Sequence, residues 1–247
     1  MSASGEFKLY YWPTIPGRGE FVRLALEAGA QAYSDVARAP SSEGGGVAAL
    51  ISMLQDGGEH VVPFAPPILT FNGNTLAQTS AILHAIAPGL GLVASDESAR
   101  TTALACQLTL ADLVSEVHDT HHPISPMQHY EDQADTALRR SQAFVNDRMP
   151  KYLRYFERCV DTNTDSNQRW IFSAQMTYVD LSMFQVIAGL RHAFPNALDR
   201  LSHEVPKLMA LAERVSEQDR VGAYLASERR IAFNQNGIFR HYPELDP

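Results

Sequence analysis

The sequence predicts an α/β N-terminal domain followed by an all-α, helical-bundle C-terminal domain. Strand signals occur only in the first ~90 residues, where they alternate with helical ones. From Asp96 onward the chain has helical periodicity and no convincing strand. The composition changes near residues 88–95, which predicts one domain over residues 5–90 and a second over residues 95–247.

Composition and charge exclude several classes of partner. The 247 residues are 45% hydrophobic and 19% charged, as in ordinary globular proteins. A net charge of −8 without a cluster of Lys or Arg argues against nucleic acid. The apolar runs are far shorter than the ~20 residues of a spanning helix, and the N-terminus does not resemble a secretory signal. Cys106 and Cys159 have no zinc-ligand spacing and suit a reducing compartment, so we expect a cytoplasmic protein without a membrane partner.

The N-terminal elements follow in the order β-α-β, loop, hairpin and helix. Residues 7–12 are aromatic-rich and precede Pro13, which is typical of a strand. Residues 18–28 have helical period and end at Gly29, and a short helix is expected at 47–54. Asn72-Gly73 predicts a hairpin turn, and Thr79 or Ser80 is expected to cap the helix that ends at Pro88. This order is compatible with a thioredoxin-like arrangement.

Helices are predicted throughout the second half of the chain. The expected ranges are residues 97–122, 131–149, 151–160, 177–193 and 205–218. Thr177 and Asp180 form a Thr-x-x-Asp capping box, so we interpret Asp180 as a structural residue rather than a catalytic carboxylate.

Several segments together resemble the cytosolic glutathione transferases. The segments YYW, GRGEFVRLALEAG and APPILTFNGNTLAQTSAILHAIA resemble the glutathione-binding half of the family, closest to its tyrosine-using pi, mu and sigma classes. The segment SAQMTYVDLSMF resembles the buried capping segment of the helical half. The segments follow the family's order across nearly the whole chain. The resemblance implies a thioredoxin-like first domain, glutathione as co-substrate and a homodimer.

The resemblance implies that Tyr11 is the catalytic tyrosine. In the family this hydroxyl donates a hydrogen bond to the glutathione sulfur, which favours the thiolate and lowers the pKa of the thiol. The alternative is a core aromatic whose hydroxyl is satisfied internally. Tyr10 is the nearest rival, because alternation along a strand sends it to the opposite face. The loop after Tyr11 is one residue longer than in the tyrosine-using classes.

The glutathione-binding residues implied by the resemblance are Tyr11, Arg18, Pro66, Pro67, Gln78 and Thr79. Pro67 matches the family's cis-proline, and Pro66 occupies the position that pairs through its backbone with the cysteinyl unit. Proline has no N–H, so one of those two hydrogen bonds is expected to be missing. The alternative for this pair is a stiff turn before a strand.

Three residues are implied near the γ-glutamyl end of glutathione. Gln78 and Thr79 match the pair that seats the γ-glutamyl carboxylate at a helix N-terminus. Arg18 matches a family arginine near the same end. A plain helix cap is the alternative for Thr79, and a solvated surface charge is the alternative for Arg18.

Trp12, His118 and His122 are implied to line the pocket for the electrophile, because the long helix ends beside that pocket in the family fold. His118 and His122 share a helix face, near Asp119 and His121. Two ligands do not make a metal site, so no metal is expected. Helix-end packing is the alternative interpretation of these histidines.

Two features of the tyrosine-using classes are missing. A tryptophan and a lysine usually reach the glycine end of glutathione, and neither occurs between Tyr33 and Val47. Arg38 or a side chain near His60 are the candidates to replace them. The aspartate that a partner subunit supplies has no match either: Leu104 falls near its position, with Gln107 as a neighbour.

The implied function is a glutathione transferase that attacks an electrophilic small molecule with the glutathione thiolate, a detoxification reaction. A glutathione-dependent peroxidase, lyase or isomerase is one alternative. A non-enzymatic binding protein on the same fold is another. Thiol–disulfide exchange is disfavoured, because no cysteine lies at the end of the first strand.

Overall fold

The computed structural model describes residues 6–57 and 62–246. The first part of the chain forms a four-stranded sheet with three helices: β1 (Phe7–Tyr10), α1 (Gly19–Ala28), β2 (Tyr33–Asp35), α2 (Gly46–Asp56), β3 (Ile68–Phe71), β4 (Asn74–Ala77) and α3 (Thr79–Ile86). The sheet order is β2-β1-β3-β4. β1 and β2 are parallel, whereas β3 is antiparallel to both of its neighbours. The predicted thioredoxin-like domain is confirmed.

Local sequence signals explain these elements. A parallel strand pair needs a crossover, and α1 provides it between β1 and β2. Asn72 and Gly73 have φ angles of 48° and 79°, as the predicted two-residue hairpin turn requires. The helix after the hairpin begins without a side-chain cap and its N-cap residue is Gln78, so the predicted capping by Thr79 or Ser80 is wrong.

The second part of the chain is helical, as predicted. Its helices in the described residues are α4 (Glu97–Asp119), α5 (Ala134–Ala143), α6 (Met149–Thr162), α7 (Tyr178–Ala193), α8 (Pro195–Ser202), α9 (Pro206–Ser216) and α10 (Asp219–Leu225). The capping box at the start of α7 is confirmed: the Asp180 carboxylate accepts from the backbone N–H of Thr177 at 2.7 Å and from that of Ile171 at 2.9 Å. The exact domain boundaries stay a prediction.

The predicted break before residue 151 is wrong. α5 continues into α6 through a π-helical turn at Phe144–Arg148, and Pro150 lies in the first turn of α6. Pro150 cannot donate a backbone N–H to the preceding turn. The π-helical turn changes the hydrogen-bond pattern just before Pro150, so the helix continues through the proline. α8 and α10 were not predicted, because eight and seven residues are too short to show helical periodicity.

α1 holds a central place between the two parts of the chain. It packs against the α3 helix on one side and against α7 and α10 on another. Most of its residues are buried, including the charged Glu20 and Arg23. The charged groups of α1 therefore need partners inside the protein.

The C-terminal segment lies across the helical domain in an ordered course. The buried Asp246 carboxylate accepts from the backbone N–H groups of Asn196 and Ala197 at the start of α8. Ile238 and Phe239 are buried in the core. None of the helices in the described part of the chain has the length and apolar content that a membrane span requires.

Candidate functional site

Tyr11 follows β1 directly and lies in a cradle made by two glycines. Its side chain is 5% exposed. A Cβ atom at Gly17 would lie 2.1 Å from the Tyr11 hydroxyl, and one at Gly19 would lie 2.5 Å from the ring. The two glycines of the Gly-Arg-Gly sequence therefore leave room for this ring, and Gly17 also has a φ of +45°.

The Tyr11 hydroxyl accepts a hydrogen bond of 2.8 Å from the backbone N–H of Arg18. Burial raises the pKa of this hydroxyl, and the Arg18 N–H and the charges of Arg18 and Arg23 act in the opposite direction. The hydroxyl is therefore protonated at neutral pH. Because its oxygen is already an acceptor, its proton remains available to a ligand.

Arg18 connects three elements at this point. Its backbone N–H bonds Tyr11, and its carbonyl accepts from the Thr79 hydroxyl at 3.4 Å. Its guanidinium donates to the Ser115 hydroxyl on α4, also at 3.4 Å. The structure thus brings together Tyr11, Arg18 and Thr79, and it gives Arg18 partners on both sides of the domain junction.

Gln78 holds the backbone immediately before α3 in a strained conformation. Its φ and ψ are 71° and 117°, a region that non-glycine residues rarely adopt. Such strain is concentrated at ligand sites, where the surrounding fold maintains it. The first N–H groups of α3 receive no side-chain cap, so they are free to bind an anion.

The Pro66–Pro67 peptide bond is cis, as the sequence predicts. Pro67 is buried next to the start of β3, and Pro66 is partly exposed. Pro66 can offer its carbonyl but has no N–H to pair with an extended ligand.

A small cavity of about 30 Å³ lies where α1, α3 and α4 meet. It is lined by Arg18, Phe21, Thr79, Gln107, Ala111 and Val114. Gln107 is 2% exposed, and its side-chain oxygen has no hydrogen-bond partner in the described part of the chain. In the sequence Gln107 stands out only as a neighbour of Leu104, because an isolated glutamine in a helix carries no signal of its own.

An ionic network that the sequence did not predict lies behind Tyr11. The Arg23 guanidinium lies 5.7 Å from the centre of the Tyr11 ring and bonds Asp35 at 2.8 Å and Glu20 at 3.3 Å. The Glu20 carboxylate also accepts from the Tyr224 hydroxyl at 2.6 Å and from the Arg230 guanidinium. The helical domain therefore supplies two partners to a charge on α1.

Three histidines cluster at the end of α4. The rings of His118, His121 and His122 lie within 5.4 Å of one another. His121 Nδ1 lies 2.6 Å from His122 Nδ1, and His121 Nε2 lies 2.8 Å from the Ile238 carbonyl. Burial is the main cause that lowers the pKa of His118 to about 4 and that of His121 to about 3.

The histidine cluster therefore consists of neutral rings packed under the C-terminal segment. The positive charge of Arg18 also lowers the pKa of His118. Among the described residues, no group of three or more His, Cys, Asp or Glu could hold a metal ion. Trp12 is partly buried against the core beside Tyr11. Its role in an acceptor pocket with His118 and His122 stays a prediction.

Arg38, one of the two candidates for the glycine end, has its hydrogen-bond partners elsewhere. The Arg38 guanidinium donates to the backbone carbonyls of Arg229, at 2.6 Å, and Glu228, at 3.1 Å. These bonds attach Arg38 to the segment after α10. His60 lies outside the described residues.

Residues 118–228 match the sequence model of the glutathione S-transferase C-terminal domain. The chain is 24% identical to a glutathione S-transferase of Plasmodium yoelii yoelii, over 71% of this chain and 74% of that protein. It is 26% identical to glutathione S-transferase A4 of Bos taurus, over 79% of each chain.

Two solved structures share the fold. A pi-class glutathione S-transferase of Onchocerca volvulus has a TM-score of 0.66 and 21% identity, and the match covers 89% of this chain and 91% of that one. A glutathione S-transferase of Necator americanus described as monomeric has a TM-score of 0.65 and 16% identity, with coverage of 92% and 100%.

Proposed function

This chain belongs to the cytosolic glutathione transferase family, and we propose that it is an enzyme that binds glutathione, ionises its thiol and transfers it to an electrophilic small molecule. One observation carries the proposal. The Tyr11 hydroxyl accepts the Arg18 N–H at 2.8 Å, so its own proton is free beside the uncapped start of α3. That arrangement supplies a donor for sulfur next to a seat for a carboxylate.

Tyr11 acts on the thiol by hydrogen bonding to its charged form. A neutral phenol that donates to a thiolate stabilises the thiolate relative to the thiol, which lowers the thiol pKa. Each unit of that decrease corresponds to about 1.4 kcal/mol of preferential stabilisation. The glycine cradle keeps the hydroxyl in one place, so little reorganisation is needed when the charge forms.

The tripeptide is held along the edge between β3 and α3. Its γ-glutamyl carboxylate binds the free N–H groups of α3 and the Thr79 hydroxyl, with Arg18 adding positive charge nearby. Its cysteinyl unit pairs with the carbonyl of Pro66 before the buried Pro67. The strained backbone of Gln78 supports this assignment, because strain is retained where it shapes a ligand site.

The electrophile is held on the helical side of the site, against Trp12, His118 and His122. The neutral state of His118 supports a pocket that accepts uncharged molecules. A glutathione-dependent peroxidase, lyase or isomerase uses the same thiolate and remains the alternative. A non-enzymatic binding protein is disfavoured, because it has no need of Tyr11, Gln78 and Thr79 in one place.

A cytoplasmic homodimer is part of the proposal. Both cysteines are free, which suits a reducing compartment. Phe64 is 93% exposed and Val62 beside it is also exposed, just before β3. A second copy of the chain would bury these side chains. Sedimentation velocity of the protein and of Phe64→Asp tests this: a dimer that the substitution dissociates supports it, and a monomeric parent protein contradicts it.

Calorimetric titration with glutathione, followed by a screen of electrophiles, tests the function. We expect saturable binding and turnover of activated aryl halides, epoxides or enones with loss of free thiol. Turnover of hydroperoxides alone would favour the peroxidase alternative. Absence of glutathione binding would contradict the proposal.

A further inference from the structure

The buried side-chain oxygen of Gln107 has no hydrogen-bond partner among the residues that the structure describes. Leaving a buried acceptor unpaired is unfavourable, so such a group needs an explanation. Gln107 is almost fully buried, and it lines the cavity of about 30 Å³ at the junction of α1, α3 and α4. The same cavity is lined by Arg18 and Thr79.

The chemistry of the γ-glutamyl end complements this arrangement. That end carries an α-carboxylate and an α-ammonium group on the same carbon atom. When the carboxylate lies at the start of α3, beside Thr79, the ammonium nitrogen lies only two bonds from the carboxylate carbon. An ammonium group needs acceptors, and none of the six residues described as lining the cavity is acidic.

We infer that Gln107 is a glutathione-specificity residue: its side-chain oxygen accepts a hydrogen bond from the γ-glutamyl ammonium group. This inference rests on the proposed function. It assigns the acceptor to the same chain that carries Arg18 and Thr79, so one subunit contains a complete γ-glutamyl site. In this chain Leu104 falls near the position of the aspartate that a partner subunit supplies in the family. The Gln107 oxygen would provide the acceptor that Leu104 cannot.

The competing explanation is structural. A cavity of this size can hold one water molecule, which could satisfy the Gln107 oxygen without any ligand. The two explanations differ in one respect: only the ligand contact makes the effect of Gln107 depend on the amino group of the ligand.

The test is a calorimetric cycle with two ligands and two proteins. The ligands are S-methylglutathione and S-methyl-N-glutaryl-cysteinylglycine, which lacks only the α-amino group. S-methylation removes thiol ionisation from the measurement. The parent protein should bind the amino-bearing ligand more tightly by roughly 10- to 150-fold, the range for one hydrogen bond to a charged group. Gln107→Leu should bind both ligands with nearly equal affinity, equal to that of the parent protein for the deamino ligand.

Controls keep the result interpretable. Gln107→Met is a second apolar variant in case the branched side chain fits poorly, and thermal unfolding reports whether each variant folds. Ser182→Ala removes a buried hydroxyl that also lacks a partner among the described residues but lies on α7, outside the cavity lining, so the ligand preference should remain. If Gln107→Leu keeps the preference, or weakens both ligands equally, the inference is wrong. If the parent protein binds neither ligand, the proposed function itself fails.

Discussion

The backbone N–H of Arg18 donates to the hydroxyl of Tyr11 at 2.8 Å, seven residues earlier in the chain. This bond uses the phenol oxygen as an acceptor, so the hydroxyl proton is not consumed by it. The residue that holds the tyrosine also contacts Thr79 and Ser115, so the position of the donor is coupled to both domains.

Gly17→Ala should displace Tyr11 and lower glutathione-dependent turnover. The new methyl group would lie 2.1 Å from the hydroxyl, and misplacing a catalytic group by about 1 Å can cost ~100-fold in rate. Gly44 is the matched control: it also has a positive φ, but nothing lies within 4 Å of an added methyl. Gly44→Ala should lose about 1 kcal/mol of stability and little activity. Equal losses of kcat/KM in both variants would contradict this account.

Gln78→Gly should separate stability from binding. Glycine tolerates the positive φ at this position, so the free energy of unfolding should rise or stay within about 1 kcal/mol. Glutathione affinity should fall, because the glycine lacks the side chain and the fixed backbone that seat the γ-glutamyl end. Urea unfolding and calorimetric titration measure the two effects. A variant that is both weaker in stability and unchanged in affinity would show that the strain has no role in binding.

Arg230→Met should destabilise the fold by about 3 kcal/mol. Arg230 bonds the fully buried Glu20, and removing one partner of a buried pair leaves an under-compensated charge. Arg229→Met is the control: Arg229 bonds Glu27, but its side chain is 59% exposed, so the loss should stay below about 1 kcal/mol. Chemical denaturation of both variants checks this. Similar losses would mean that the Glu20 network contributes no more than a surface pair.

Acid should destabilise the protein through His121. Its pKa is about 3 in the fold, so below pH ~6.5 the unfolded chain binds a proton that the folded protein does not. Stability is therefore lost as the pH falls, by about 1.4 kcal/mol per pH unit, or about 2 kcal/mol at pH 5. A second proton on His121 would also remove the acceptor from the contact between the two Nδ1 atoms of His121 and His122, because both nitrogens would then carry a proton.

His121→Gln should make this pH dependence shallower, because glutamine can donate to the Ile238 carbonyl without titrating. Part of the slope should remain, because the pKa of His118 is also lowered, to about 4. Urea unfolding at pH 7 and pH 5 measures the slope. His203→Gln, at an exposed histidine, should leave the slope unchanged. An unchanged slope in His121→Gln would place the acid sensitivity elsewhere.

Sequence reasoning could predict the fold because its signals are local. The Asn72-Gly73 turn and the Thr177–Asp180 capping box depend on a few adjacent residues, and both are present in the structure. Pro150 misled the helix prediction, because a π-helical turn accommodates a residue that usually ends a helix.

The parts of the site that sequence could not give depend on distant contacts. Arg230 reaches Glu20 across 210 positions, and no local pattern encodes such a pair. Gln107 is distinguished by an unpaired oxygen in the cavity that Arg18 and Thr79 also line, which is visible only once its surroundings are known. Tyr11, Arg18 and Thr79 were predicted from a resemblance, and the structure supplied the hydrogen bonds that connect them.

The central claim is that Tyr11 lowers the pKa of bound glutathione, and thiolate absorbance as a function of pH measures it most directly. The account predicts that bound glutathione ionises at least about one pH unit below the free thiol, near 8.5. Tyr11→Phe should abolish that shift, and Tyr10→Phe should preserve it. Glutathione that binds with an unshifted pKa, or a shift that survives Tyr11→Phe, would contradict the account.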